Sequence, residues 1–144
     1  MSFHGGAIGV FLASIIFANK NKIKTLVLTD IITCVATIGI FLGRIANFIN
    51  GELYGKKTFS NYGVVFPKVD MEPRHPSQLY EAVAEGIIVP IVLWALFKKS
   101  KVQGSMIAFY LIGYGIARFI IEFFREPDAQ VGYLLGVFTM GQLL

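Results

Sequence analysis

Four apolar runs, each ending in a cluster of charged and amide side chains, organise this chain of 144 residues. They lie at about residues 5–18, 26–49, 76–97 and 105–124. A helix that crosses a bilayer needs roughly 17–25 apolar residues. The last three runs meet that length, and the first meets it with its polar ends or a locally thinned bilayer. Backbone in hydrocarbon must satisfy its own hydrogen bonds, and long unalternating runs do so as helices. The expected fold class is therefore all-α. It is a polytopic membrane helix bundle of about four spans plus a partial fifth (133–144), with an extracytoplasmic loop, forming a single domain over 1–144. Composition agrees: mean hydropathy is +0.65 and 15% of residues are charged, against about a quarter in soluble domains. The net charge of +4 is modest, and its Lys and Arg flank the runs as topology signals do, so no nucleic-acid partner is implied.

Loop charge sets direction. Lys20, Lys22 and Lys24 separate the first two runs, and Lys98, Lys99 and Lys101 separate the last two. Short Lys-dense loops face the cytoplasm. Alternate crossing then places His4, the stretch from Arg44 to Glu52, the loop up to Arg74, and the stretch from Arg118 to Asp128 on the outer side. Lys56, Lys57, Lys68 and Arg74 also fall outside, against the bias. No positively charged segment precedes the first run, so no cleavable signal peptide is read. Cys34, the only cysteine, excludes an internal disulfide and is expected to be a small buried hydrophobe.

Charge at membrane depth is expensive and usually functional. Tyr114, Arg118, Glu122 and Arg125 are spaced to share one helical face, with Pro127 ending the helix. A carboxylate beside a guanidinium fixes its direction and offsets part of its desolvation. For Arg118 the alternative is an interfacial arginine paired for comfort, and Arg125 is read as such a snorkelling residue. Arg44 and Asn47 share a face near the end of the second run, and Gly51 should stop that helix. Arg44 lies about 9 Å back from Asn50 along a helix, too deep for decoration. A guanidinium fork matches a phosphate, and Asn47 adds a neutral donor and acceptor. His75 precedes Pro76, which opens the third run. It serves as an acid or base, or as a helix-start residue. Glu81 and Glu85 follow one turn apart, and Pro90 should kink the span. His4, before Gly5 and Gly6, opens the first run and titrates in the range for thiol deprotonation.

These stretches, taken together, resemble one family. Ser2-Phe3-His4-Gly5-Gly6, Gly43-Arg44 through Gly55, His75-Pro76-Ser77-Gln78-Leu79-Tyr80-Glu81, and Arg118 through Asp128 appear in the order found in prolipoprotein diacylglyceryl transferases. The resemblance covers nearly the whole chain. It implies a multi-pass enzyme of the bacterial inner membrane with its active site toward the periplasm. The implied partners are phosphatidylglycerol, a prolipoprotein lipobox peptide and membrane lipid. The diacylglyceryl group would pass to the lipobox cysteine thiol, giving a thioether and glycerol phosphate, with no cofactor or metal. On this resemblance Arg44 and Arg118 stabilise the phosphate, Glu122 and Glu52 orient them, and His4 is the base with His75 in reserve. Asn47, Gly55 and Tyr114 shape the headgroup pocket. The family has seven spans. This chain corresponds to a part that begins at the third, with Met1 read as an internal methionine. Ala46 stands where many relatives carry glycine. Two other readings are an inactive piece of this enzyme and a small anion transporter or channel subunit. The latter requires ionisable residues spread through the membrane depth, whereas here they gather at one edge, with Asp30 the chief exception near the opposite edge.

Overall fold

Long helices make up most of the molecule. A computed structural model describes residues 3–97, 102–126, 133–134 and 138–139; the side chains of Phe3 and His4 are not among what it describes. Helix α1 spans Phe3–Lys20 and α2 spans Thr25–Asn50. Gly51 ends α2 as expected, in the left-handed region at φ 72°. Its N–H bonds to Phe48 O at 3.1 Å, and the Glu52 N–H bonds to Asn47 O at 2.9 Å. Only a residue without Cβ adopts that φ at no steric cost.

Helix α3, Ser77–Val83, runs through a π-helical turn at Ala84–Ile88 into α4, Val89–Phe97. The break expected at Pro90 takes this form. Proline has no N–H, and its ring clashes with the carbonyl four residues back. Immediately before it the helix widens, and the Val89 N–H reaches back to Ala84 O. Helix α5 covers Ser105–Ile121. Its N-terminus is capped in trans by α2: Asp30 Oδ2 accepts from the Gly104 N–H at 2.8 Å, and Oδ1 accepts from Met106 and Ile107 N–H at 3.1 and 3.2 Å. A carboxylate there satisfies orphan donors and complements the helix dipole.

Two of these rods, Thr25–Asn50 and Ser77–Phe97, are long and apolar enough to cross a bilayer; α1 and α5 are apolar but shorter. Burial is inverted relative to a soluble domain. Ser14, Thr29, Thr33, Thr37, Gln78, Glu81 and Glu85 are buried, while Ile16, Ile31, Val35, Ile38, Ile91 and Trp94 are exposed. Such an outer face suits hydrocarbon, and small residues let helices approach. At Gly86 an added Cβ would lie 2.6 Å from Phe41 Cβ and 2.9 Å from its Cα, so α2 touches the widened turn through this glycine. A compact apolar core of Val89, Leu93, Met106 and Ala117 joins α4 to α5.

Two expectations are corrected. Cys34 is exposed on the flank of α2 rather than buried, because an apolar side chain facing hydrocarbon needs no protein cover. Helix α5 stops at Ile121, before Pro127. Residues 122–124 turn so that Phe124 O accepts the Lys56 N–H at 2.9 Å, a loop pairing that ends the helix first. The expected partial fifth span (133–144) lies mostly outside the described residues. Within 133–144 the described residues form two short strands, β3 (Tyr133–Leu134) and β4 (Phe138–Thr139), paired antiparallel. Tyr, Phe and Thr favour that backbone. A second pair in the loop after α2, β1 (Val64–Val65) with β2 (Pro73–Arg74), also departs from a purely helical fold.

Candidate functional site

Glu81, on α3, is the point where three arginines meet. It is wholly buried. Its Oε1 accepts from Arg118 Nη1 at 2.5 Å and from Arg125 Nη1 at 3.5 Å. Arg44 Nη1 lies 2.9 Å from Oε2. Arg44 also grips the next carboxylate down the helix, with Nε and Nη2 3.3 and 3.1 Å from Glu85 Oε2. Arg118 Nη2 reaches Glu122 Oε2 at 2.8 Å, the i,i+4 pair expected from the sequence. Guanidiniums from α2 and α5 thus converge on the helix that packs between them. Three arginines face three glutamates, so the formal charges cancel. Charges held this far from water persist only when paired and hydrogen-bonded. Each guanidinium has five N–H donors, more than these carboxylates engage on Arg44 and Arg118. Donors therefore remain for an incoming anion.

The loop of residues 52–76 fixes the cluster from outside. Ser77 and Gln78, both fully buried, hold the turn that follows α2: Ser77 Oγ donates to Leu53 O at 3.1 Å and Gln78 Nε2 donates to Glu52 O at 2.6 Å. Gly55 lies flat between two strands of chain. Its N–H bonds to His75 O at 3.0 Å, and an added Cβ would stand 2.5 Å from His75 O and 2.6 Å from Phe124 O. Gly55 also forms a bridge with Arg125, which brings that arginine inward. Arg125 is therefore buried against Glu81, not snorkelling. Arg74 locks the loop through Asp70 at 2.7 Å, Gly55 O at 3.1 Å and Glu126 at 3.3 Å, and lies 4.8 Å from the Tyr54 ring centre. The Arg74 hydrogen bonds hold the Asp70 carboxyl below the usual aspartate range.

The remaining expected residues divide. Tyr114 stands within electrostatic reach of Glu85, Arg44, Arg118 and Glu81, on the cluster's flank. Asn47 is half-buried one turn beyond Arg44, and its side-chain amide has no hydrogen bond among the described residues. Glu52 is brought near only through its backbone. Its side chain is exposed and forms no ion pair with either arginine, because the turn after Gly51 points it outward. His75 is not in the cluster. Its Nδ1 lies 3.3 Å from the Tyr80 hydroxyl, and its ring packs 5.4 Å from Phe124. It borders a cavity of about 490 Å³ lined by Tyr62, Pro76, Tyr80, Ile121 and Phe124, whose members adjoin Glu81 and Glu122 in sequence. His4 opens α1, and its side chain lies outside what the structure describes. Glu81, Glu85 and Arg125 were not expected as site residues. The i,i+4 spacing of the glutamates inside a span was the available signal.

A family profile described as prolipoprotein diacylglyceryl transferase matches residues 1–144, the full chain. The chain belongs to the prolipoprotein diacylglyceryl transferase family. It is 56% identical over its whole length to the phosphatidylglycerol–prolipoprotein diacylglyceryl transferase of Rickettsia typhi. Identity to the proteins of the same name from Rickettsia felis and Rickettsia bellii is 55% and 54%, again over the whole chain. The chain spans 57%, 57% and 56% of the lengths of these three relatives. In this transferase family member, the Arg44–Glu81–Arg118 cluster is the most strongly charged buried assembly among the described residues.

Proposed function

We propose that this chain carries the lipid-phosphate clamp of a phosphatidylglycerol–prolipoprotein diacylglyceryl transferase of the bacterial inner membrane, with the clamp toward the periplasm. The observation that carries this reading is the meeting of Arg44 and Arg118 on Glu81 at 2.9 and 2.5 Å. Formation of a thioether requires the cysteine sulfur to attack the glycerol carbon. The C–S bond forms, the C–O bond to phosphate breaks, and glycerol phosphate leaves with the bonding pair. Charge on the phosphate rises in that step, and preorganised guanidiniums stabilise it there more than in the ground state. The thiol must first lose its proton, since the thiolate is the nucleophile. His4 is the base in this reading and His75 the reserve. Glu81 and Glu122 hold the arginine forks in place. Asn47, Gly55 and Tyr114 frame the headgroup.

The test is transfer itself. Membranes carrying the protein, given labelled phosphatidylglycerol and a lipobox peptide, should yield a thioether-linked lipid on the peptide cysteine. Arg44→Ala and Arg118→Ala should each lower transfer by at least about 10²-fold, the scale of one lost transition-state donor. Cys34→Ala should leave it intact. Undiminished transfer in the arginine variants defeats the clamp. Asp30, the ionisable residue at the opposite edge, is engaged in capping α5, which takes support from a conduction path through the bundle.

A further inference from the structure

Among the buried polar atoms without a hydrogen-bond partner in the described structure, two belong to Glu85 and Tyr110. Glu85 is fully buried, yet only its Oε2 is engaged, by Arg44; Oε1 has no partner among the described residues. The hydroxyl of Tyr110, one turn before Tyr114 on α5, is likewise buried without a partner. The two belong to one neighbourhood. Tyr110 packs against the α4–α5 core beside Ala84, the residue before Glu85, and its ring centre is 5.8 Å from that of Tyr114. Orphaned buried polar groups are rare and call for an occupant.

The chemistry of the pair narrows that occupant. An ionised carboxylate oxygen only accepts, whereas a phenol both donates and accepts. An alcohol satisfies both, its O–H donating to Glu85 Oε1 and its oxygen accepting from Tyr110. An ammonium would offer donors to the carboxylate but nothing to the Tyr110 O–H. Position agrees, because Glu85 shares Arg44 with the phosphate clamp. In a glycerol headgroup the first hydroxyl-bearing carbon is two bonds from the phosphate ester oxygen. We propose that Glu85 and Tyr110 form a hydroxyl subsite that binds an alcohol of the lipid headgroup while Arg44 and Arg118 hold its phosphate. This rests on the transferase reading and adds to it a basis for headgroup choice. A site built to hydrogen-bond a hydroxyl rejects the analogue lacking it, because its own groups are then left unpaired.

The experiment compares phosphatidylglycerol with phosphatidylpropanol, which keeps the phosphodiester and the three-carbon headgroup but has neither hydroxyl. The full-length protein in nanodiscs is assayed for kcat/KM in transfer and, separately, for displacement of a fluorescent lipid. The wild type should prefer phosphatidylglycerol by more than tenfold in both. Tyr110→Phe, which removes one oxygen, and Glu85→Gln should each shrink that ratio several-fold, whatever their absolute rates. A ratio unchanged by both variants, or a wild type with no preference, overturns the subsite and leaves the orphaned atoms to bound water alone. Transfer from neither lipid would defeat the transferase reading. A hydroxyl-dependent displacement that the variants lose would still uphold the subsite.

Discussion

Glu81 does for this protein what no neighbouring residue can. One carboxylate faces guanidiniums from α2, from α5 and from the turn beyond α5. Glu81→Gln keeps the volume and removes the charge, leaving Arg44, Arg118 and Arg125 to repel one another around a neutral amide. Breaking a buried pair from one side costs about 3–5 kcal/mol. A markedly lowered midpoint of thermal unfolding in nanodiscs is expected, together with lost transfer. A variant as stable as the wild type would show that the cluster is not what joins these helices. Asp70 presents the opposite case, a surface carboxylate whose partner Arg74 donates hydrogen bonds to it. Its pKa is lowered in the folded protein. The stabilisation is therefore complete above the ordinary aspartate pKa of about 3.9 and is lost as pH falls through the lower folded value. Proteolytic nicking of residues 59–72 should rise on acidification below that range, and Asp70→Asn should show the faster nicking already at neutral pH.

At the scale of elements, glycine separates contacts that matter from those that do not. Gly55→Ala would drive a methyl into the His75 and Phe124 carbonyls at 2.5 and 2.6 Å, neither of which is a flexible side-chain end. Gly115, on the outer face of α5, has nothing within 4 Å of an added Cβ. Gly115→Ala is expected to be neutral or to stabilise by roughly 0.5–1 kcal/mol, the helix preference of alanine. Gly55→Ala should lower both stability and transfer, measured in the same membranes. Equal behaviour of the two would refute the close packing of the loop. Sequence alone showed much of this level. The extent of α2, its stop at Gly51 and the Arg118–Glu122 pair follow from local spacing. The end of α5 did not, because the chain leaves the helix to pair with Lys56, a contact some seventy residues back along the chain. Glu81 and Glu85 were visible as a pair, but their role depends on how α3 rotates against α2 and α5. Glu52 shows the same gap, since a left-handed residue just before it sets where its side chain points.

For the molecule as a whole, the buried ion-pair cluster gathers at one end of α2 and the lysine-bearing α1–α2 turn lies at the other. Described residues at the first end include the arginine cluster and the loop that carries Phe59 and Tyr62, while the α1–α2 turn with Lys22 lies at the far end of α2. In a Cys34→Ala background, a membrane-impermeant maleimide applied to spheroplasts should label Phe59→Cys at once. Lys22→Cys should react only after permeabilisation. Labelling of Lys22→Cys at once, with Phe59→Cys reached only after permeabilisation, would reverse the proposed placement of the clamp on the periplasmic face.

Helices α2 and α5 are stitched at both rims, by Asp30 at one and through Glu81 at the other. A seam closed at top and bottom cannot part like a curtain without unfastening one stitch. On the proposed reading, a two-tailed lipid entering from the hydrocarbon travels by another seam of the bundle. On that reading its headgroup meets the arginines with the α2–α5 wall standing behind it.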